Sequence, residues 1–112
     1  MYKEYNVKQF NPSVEEAIGL IEIEIEKCKK EGIKVLKVIH GYGSNGVGGA
    51  ISVAIKNKLH NWQKQKLITD YIFGSNWNAY NQKAKDILFK NPSIPPDNDF
   101  NHGNMGITIL IL

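Results

Sequence analysis

The feature that most constrains this chain is an apolar segment that runs directly into a cluster of glycines. Residues Ile33 to Ile39 are mostly apolar and β-branched, which is typical of a central strand covered on both faces in a parallel arrangement. The glycine segment, His40 to Gly49, follows at once and contains five glycines. Apolar residues at three- and four-residue spacing from Ile51 to Trp62 then predict a helix. The sequence therefore predicts the order strand, glycine segment, helix.

The rest of the chain alternates between strand and helix patterns. Ser13 and Glu16 have the spacing of a capping box, and this helix start outweighs the strand-like alternation of Ile21 to Glu26. Residues Asn91 to Asn104 contain three of the four prolines, which predicts a surface loop. The predicted order is β-α-β-α-β-α-β. Before the glycine segment, we predict a strand over Lys3–Phe10 and a helix from the Ser13 cap to Glu31, with Gly32 as its C-cap. After it, we predict a strand over Leu67–Phe73, a turn at Gly74–Asn76, a helix over Trp77–Lys90 and a strand over Ile107–Leu112.

Glycines between a strand and a helix favour a phosphate-binding site. They permit positive φ, they let backbone N–H groups turn toward an anion, and the helix N-terminus adds partial positive charge. Residues Gly41 to Gly46 match G-x-G-x-x-G, but a dinucleotide fold needs more βαβ units and an acidic residue farther along. Val47 follows Gly46, where a nucleotide triphosphatase loop needs lysine. The other interpretation is that the glycines only close a tight turn.

Charge is distributed unevenly along the chain. Between Gly32 and Thr69 every formal charge is a lysine, and all fourteen basic residues of the protein are lysines. Such a segment attracts polyanions, although a solvated helix face has a similar composition. Without arginine, bidentate reading of guanine edges is absent. Any nucleic-acid contact is therefore expected to be directed at phosphates and weakly sequence-specific.

Length and cysteine usage limit the remaining classes of protein. A chain of 112 residues is expected to form a single domain spanning 1–112. The lone Cys28 cannot form an intramolecular disulfide, and we expect it to be a small buried apolar residue. No leader and no apolar run of ~18 residues is present. We therefore expect a cytoplasmic protein without a membrane span, a metal site or a nucleotide cofactor.

Three motifs together resemble the small-MutS-related (Smr) domain family. They are the apolar strand ending in His-Gly-x-Gly at Val38–Ser44, the helix start Ser13–Ala17, and the Gly-rich lead into the last strand at Gly103–Ile109. The resemblance implies an α/β (α+β) two-layer sandwich of a mixed four-stranded sheet and two main helices, similar to the C-terminal domain of translation initiation factor three. It also implies an insertion at about 74–104. Smr domains bind or nick DNA and cleave RNA.

The resemblance fails at one motif that matters for catalysis. The family has Leu-Asp-x-His at the end of its first strand, whereas this chain has Val7-Lys8-Gln9-Phe10 there. If the missing pair supplies the acid–base chemistry, this protein binds without cutting. His40 is then the one strong catalytic candidate, because a ring that titrates near neutrality can serve as general acid or base. The alternative is that His40 only hydrogen-bonds the turn.

Two functions remain open from the sequence. The first is a nucleic-acid-binding Smr domain with residual endonuclease activity, DNA nicking or RNA cleavage, through His40. The second is a non-enzymatic protein–protein interaction domain or homodimer with a purely structural glycine segment. The residues predicted to contact nucleic acid are Lys8, Gly41, Tyr42, Gly43, Ser44, Asn45, Gly46, Lys56 and Lys58.

Overall fold

A computed structural model of the protein describes residues 1–41, 47–95 and 99–112. Four strands alternate with three α-helices, and short 3-10 turns over Val7–Phe10 and Gly74–Asn76 follow the first and third strands. The elements are β1 (Tyr2–Asn6), α1 (Val14–Lys30), β2 (Val35–Ile39), α2 (Val47–Lys64), β3 (Asp70–Phe73), α3 (Gln82–Lys90) and β4 (Ile107–Ile111). This order is the one predicted from the sequence.

The four strands form one mixed sheet in the order β1-β2-β4-β3. β1 pairs with β2 in parallel, whereas β4 pairs antiparallel with both β2 and β3. In the register, Asn6 lies beside Ile39, and Ile39 lies beside Ile107 on its other side. The carboxyl ends of β1 and β2 therefore meet at one edge of the sheet, where the amino end of β4 also lies. The predicted fold class, a mixed four-stranded sheet with helices, is confirmed.

The first face of the sheet is covered by α1 and α2. The core on this face takes its buried residues from both helices and the sheet: Ala17, Ile21, Ile25 and Cys28 of α1, Ile51, Ile55, Leu59 and Trp62 of α2, and Leu36, Val38 and Leu110 of β2 and β4. Burial raises the pKa of the Cys28 thiol to about 11, and Glu24 beside it adds to the effect. Cys28 is thus the buried, un-ionised residue that we expected.

Residues Ile21 to Glu26, whose alternating pattern resembles a strand, are part of helix α1, as the capping box predicted. The Glu16 amide donates to the Ser13 hydroxyl at 3.2 Å, and the Ser13 amide donates to the Glu16 carboxylate at 2.9 Å. Helical periodicity then places Ile21 and Ile25 in the core but leaves Ile23 67% exposed. Glu24 is buried, where it accepts from the Cys28 thiol at 3.3 Å and pairs with Lys3 at 2.6 Å.

The second face of the sheet is covered by the 74–104 segment. Trp77 and two residues of α3, Ala84 and Ile87, are buried against Val35, Ile72, Ile107 and Ile109 of the sheet. The Trp77 ring also meets Phe100 edge-on, with centroids 5.3 Å apart. Burial on both faces explains why β2 and β4 are almost continuously apolar. The segment expected to be an insertion is thus part of a second hydrophobic core.

Several predicted boundaries were wrong because local side-chain hydrogen bonds end the elements. β1 stops at Asn6, and not at Phe10, because the Asn6 side chain accepts from the Lys8 amide and starts the 3-10 turn. α3 begins at Gln82, and not at Trp77, because the Asn81 side chain accepts from the Ala84 amide and caps the helix there. β3 begins at Asp70, because the Leu67 amide bonds the Trp62 carbonyl and continues the end of α2.

None of the helices within the described ranges is long and apolar enough to cross a membrane.

Candidate nucleic-acid interface

The candidate site lies where β1 and β2 end side by side. The 3-10 turn Val7–Phe10 continues from β1, and His40 and Gly41 continue from β2. α2 begins at Val47, so the last three residues of the glycine segment, Val47 to Gly49, are the first residues of the helix. Tyr42, Gly43, Ser44, Asn45 and Gly46, which the sequence also assigns to the site, lie outside the described residues. The geometry of the site therefore rests on its flanking residues.

The stem of the Lys8 side chain lies beside Gly41. Gly41 has φ +75°, and a Cβ atom on it would lie 3.1 Å from Cδ of Lys8. Two local hydrogen bonds hold the turn that carries Lys8: its amide donates to the Asn6 side chain at 3.1 Å, and its carbonyl accepts from the Asn11 amide at 3.0 Å. Glycine is thus favoured at 41 both by its backbone angle and by the lysine stem above it.

His40 is enclosed and not open to solvent. It is 1% exposed, and both ring nitrogens are in hydrogen bonds, Nδ1 to the Gly41 carbonyl at 2.7 Å and Nε2 to the Thr108 hydroxyl at 3.0 Å. A carbonyl can only accept, so Nδ1 carries the proton, and Thr108 then donates to Nε2. Burial lowers the pKa of His40, and the charge of Lys56 lowers it further, against hydrogen bonds to backbone groups of Gly41 and Ile107 that raise it. The ring is therefore neutral near pH 7.

A series of hydrogen bonds joins the end of β2 to the residues that precede β4. The Gly106 carbonyl accepts from the His40 amide at 2.9 Å and from the Gly41 amide at 3.0 Å. The Gly106 amide in turn donates to Asn104 at 2.8 Å, and the Asn104 side-chain amide donates to Asp99 at 2.7 Å. The 74–104 segment therefore fixes the backbone on which the glycine segment begins.

The two lysines predicted on α2 lie on different sides of that helix. The Lys56 ammonium lies 5.1 Å from the centre of the Phe73 ring at the end of β3, and its charge acts on His40. Lys58 lines a groove between α1 and α2 together with Glu15 and Glu22. Residues two apart on a helix do not face each other. The structure thus brings together Lys8, His40, Gly41 and Lys56, and it places Lys58 elsewhere.

Some residues of this site were not found from the sequence. Thr108, Gly106, Asn104 and Asp99 contact the site or support it, but they come from the distant end of the chain. The signal that was present is the Gly-rich lead into the last strand. That signal indicated that the segment before the last strand belongs to the site, but it could not show which atoms of the site this segment contacts.

Metal chemistry has no ready set of ligands in the described part of the chain. No group of three or more His, Cys, Asp or Glu side chains there lies close enough together to hold a metal ion. The histidine at the site uses both nitrogens within the protein.

Most of this chain matches one family of known proteins. The sequence profile of the Smr domain matches residues 9–87, more than half of the chain. The chain belongs to the Smr domain family. This match confirms the resemblance drawn from the motifs, and it begins at Gln9, so Val7 and Lys8 lie outside it. Smr domains are generally associated with nucleic-acid binding and nicking.

A solved structure shares the fold of this Smr domain. The crystal structure of the Smr domain of Thermus thermophilus MutS2 aligns with a TM-score of 0.56 and 18% sequence identity, covering 99% of this chain and 95% of that chain. At this identity the likeness establishes the fold. A search of curated protein sequences gives no significant match.

Proposed function

We propose that this Smr domain binds nucleic acid through its phosphates, at the edge where β1 and β2 end and α2 begins. The position of the Lys8 stem beside Gly41 is the observation that carries the proposal. It holds an exposed lysine directly over the start of the glycine segment. The N-terminus of α2, which begins at Val47 within that segment, adds its partial positive charge there. The proposal also keeps the sequence prediction that residues 42–46, which lie outside the described residues, contact nucleic acid.

Lys56 extends the positive charge of the proposed site. Its exposed side chain lies near the ends of β2 and β3, as its position 5.1 Å from the centre of the Phe73 ring and its lowering of the His40 pKa indicate. A compact ammonium group on a flexible stem attracts phosphates without selecting a base. We therefore expect affinity that depends on salt and varies little with nucleotide sequence.

The proposal includes no cleavage step. A general base must have a nitrogen available to the substrate, whereas both nitrogens of His40 are bonded to Gly41 and Thr108. Lys8 and Phe10 occupy the places where the family resemblance expects the Asp and His of the first motif. Residual endonuclease activity through His40 would require its ring to give up the hydrogen bond to Thr108 or the one to Gly41.

Salt-dependent binding tests the proposal. Fluorescence anisotropy with a labelled single-stranded oligonucleotide gives the affinity at several salt concentrations. Lys8→Ala and Lys56→Ala should each weaken binding and reduce the slope of log affinity against log salt by about one. Lys58→Ala is the matched control, because this lysine lies on the same helix but faces α1. Equal slopes in wild type, Lys8→Ala and Lys56→Ala would overturn the proposal.

A second candidate function, binding of a partner protein, is favoured by the surface of the 74–104 segment. Tyr80 and Phe89 are 96% and 88% exposed, and aromatic side chains are common anchors in protein interfaces. Partner binding of this kind would be insensitive to salt and to Lys8→Ala. It would be weakened by Tyr80→Ala or Phe89→Ala.

A further inference from the structure

A second side chain on the turn that carries Lys8 is available to a ligand. Phe10 is 52% exposed although it is a large apolar residue. It lies at the end of the 3-10 turn Val7–Phe10, two residues after Lys8. In a 3-10 helix each residue rises about 2 Å, so the two residues are about 4 Å apart along the axis. An aromatic ring and a phosphate-directed cation are thus presented on one short turn.

The ring of Phe10 is supported from behind. It packs against the ring of Tyr5, with centroids 6.1 Å apart and planes inclined by 38°, and Tyr5 is itself packed against the first hydrophobic core. Asn11, with φ +46°, closes the turn directly after Phe10. A ring held in this way loses little conformational freedom when a flat ligand covers its open side.

We infer that Phe10 is a base-stacking site and that the domain therefore prefers single-stranded nucleic acid. This inference rests on the proposed phosphate site at Lys8 and Gly41. Side chains two apart on a 3-10 turn leave it in different directions, so in this inference a strand whose phosphate is held by Lys8 bends around the turn and brings a neighbouring base to the Phe10 ring. Every base has a π-face, so stacking adds affinity without adding sequence specificity. Bases within a duplex are already stacked and reach such a ring only after being flipped out.

Two probes of equal charge separate stacking from phosphate binding. One is an oligothymidylate, and the other is an abasic oligonucleotide with the same number of phosphates. We expect wild-type protein to bind the thymidylate about tenfold more tightly than the abasic strand. Phe10→Ala should remove this difference by weakening thymidylate binding alone, whereas Lys8→Ala should weaken binding of both probes.

Control variants keep the result interpretable. Phe10→Leu preserves an apolar cover over Tyr5 and should still lose the preference for bases, with an unchanged melting temperature. Phe10→Tyr should retain the preference. Ile23→Ala removes an apolar side chain that is more exposed than Phe10 but lies on α1, and it should change neither affinity.

A spectroscopic variant reports the contact directly. Trp62 and Trp77 are both buried, so the indole introduced by Phe10→Trp would be the one at the surface among the described residues. Its emission should be quenched by the thymidylate and unaffected by the abasic probe.

The outcomes distinguish this inference from the proposed function. If Phe10→Ala weakens binding of both probes equally, or of neither, while Lys8→Ala weakens both, stacking is overturned and the phosphate site stands. Tighter binding of a duplex than of the single strand would also overturn the inference. If Lys8→Ala changes neither affinity, or wild type binds neither probe, the proposed function fails, and the inference fails with it.

Discussion

Lys37 in β2 forms an ion pair with Asp99 of the 74–104 segment. This ion pair helps to hold that segment on the second face of the sheet. Lys37 is 3% exposed, so its charge depends on protein partners. Besides Asp99, the carboxylate of Glu4 lies 3.9 Å from the Lys37 ammonium. Since Asp99 also accepts from Asn104, the same carboxylate supports both the buried lysine and the chain of hydrogen bonds that leads to Gly41.

Removing this carboxylate should destabilise the fold. Asp99→Ala removes a carboxylate partner of the buried Lys37 charge together with the acceptor of the Asn104 side-chain amide, and we expect the free energy of unfolding to fall by roughly 3 kcal/mol. Adding Lys37→Met should restore much of the loss, because it removes the buried charge itself. Asp86→Ala, at an exposed position of α3, is the matched control. Urea unfolding measures all four proteins, and an equal effect of Asp99→Ala and Asp86→Ala would contradict the prediction.

Two glycine-to-alanine changes should have opposite effects on stability. Gly41→Ala forces a side chain onto φ +75° and against the Lys8 stem, at a cost of roughly 1–2 kcal/mol. Gly19 lies within α1, where a Cβ would meet nothing within 4 Å. Gly19→Ala should therefore stabilise the protein by roughly 0.5–1 kcal/mol. Thermal unfolding compares the two, and a melting temperature for Gly41→Ala at or above that of wild type would refute the expected strain.

Gly74→Ala should be the most damaging of the glycine substitutions for steric reasons. A Cβ at this position would overlap the backbone carbonyl oxygen of Asn104, and it would also crowd the side chain of Ile107. Backbone cannot turn aside as a flexible side chain can, so we expect a loss of roughly 3 kcal/mol. Ser75→Ala, at the next and exposed position, should remain near wild type in the same unfolding assay.

The sequence predicted the elements of the fold better than their contacts. The capping box at Ser13 and the apolar run of β2 are local signals, so α1 and the central strand were recognised. The end of β1 was missed because a single side chain, Asn6, competes with the strand hydrogen bonds. Such competition between side chain and backbone is not visible in hydrophobic periodicity.

The site was predicted only in part for a related reason. Lys8 lies beside Gly41, the residue after His40, because parallel strands bring their carboxyl ends together. The enclosure of His40 depends on Thr108, which lies 68 positions away in the chain. Lys56 and Lys58 look equivalent in the sequence, but they lie on different sides of α2, because residues two apart on a helix point in different directions. Tertiary contacts of this kind follow from packing and are not encoded in any local pattern.

The enclosed His40 also leads to a prediction about catalysis. We expect no measurable nicking of supercoiled DNA. With structured RNA, whose 2′-hydroxyl supplies its own nucleophile, we expect at most slow cleavage that needs no metal. A single acid–base group contributes roughly 10²–10⁴-fold, which is small beside the barrier to phosphodiester hydrolysis. Highly purified protein that nicks DNA, and loses this activity in His40→Ala, would contradict the prediction.

The buried His40 should also make stability depend on pH in a defined direction. Its pKa is lowered in the folded state, chiefly by burial, from the usual histidine value of about 6.5. Below about pH 6.5 the unfolded chain therefore binds a proton that the folded chain does not, and the free energy of unfolding falls with pH by up to about 1.4 kcal/mol per unit. The contribution is fully present above that pH and is lost as the pH falls toward the lowered pKa.

His40→Gln isolates the effect, because its amide cannot titrate. The variant should unfold more readily than wild type at about pH 8 but should show a flatter profile between about pH 7 and about pH 5. The other two histidines, His60 and His102, are exposed and remain in both proteins, so they cancel in the comparison. Urea unfolding across this range gives both profiles. Parallel profiles would mean that His40 titrates normally, and its ring would then be open to a ligand in solution.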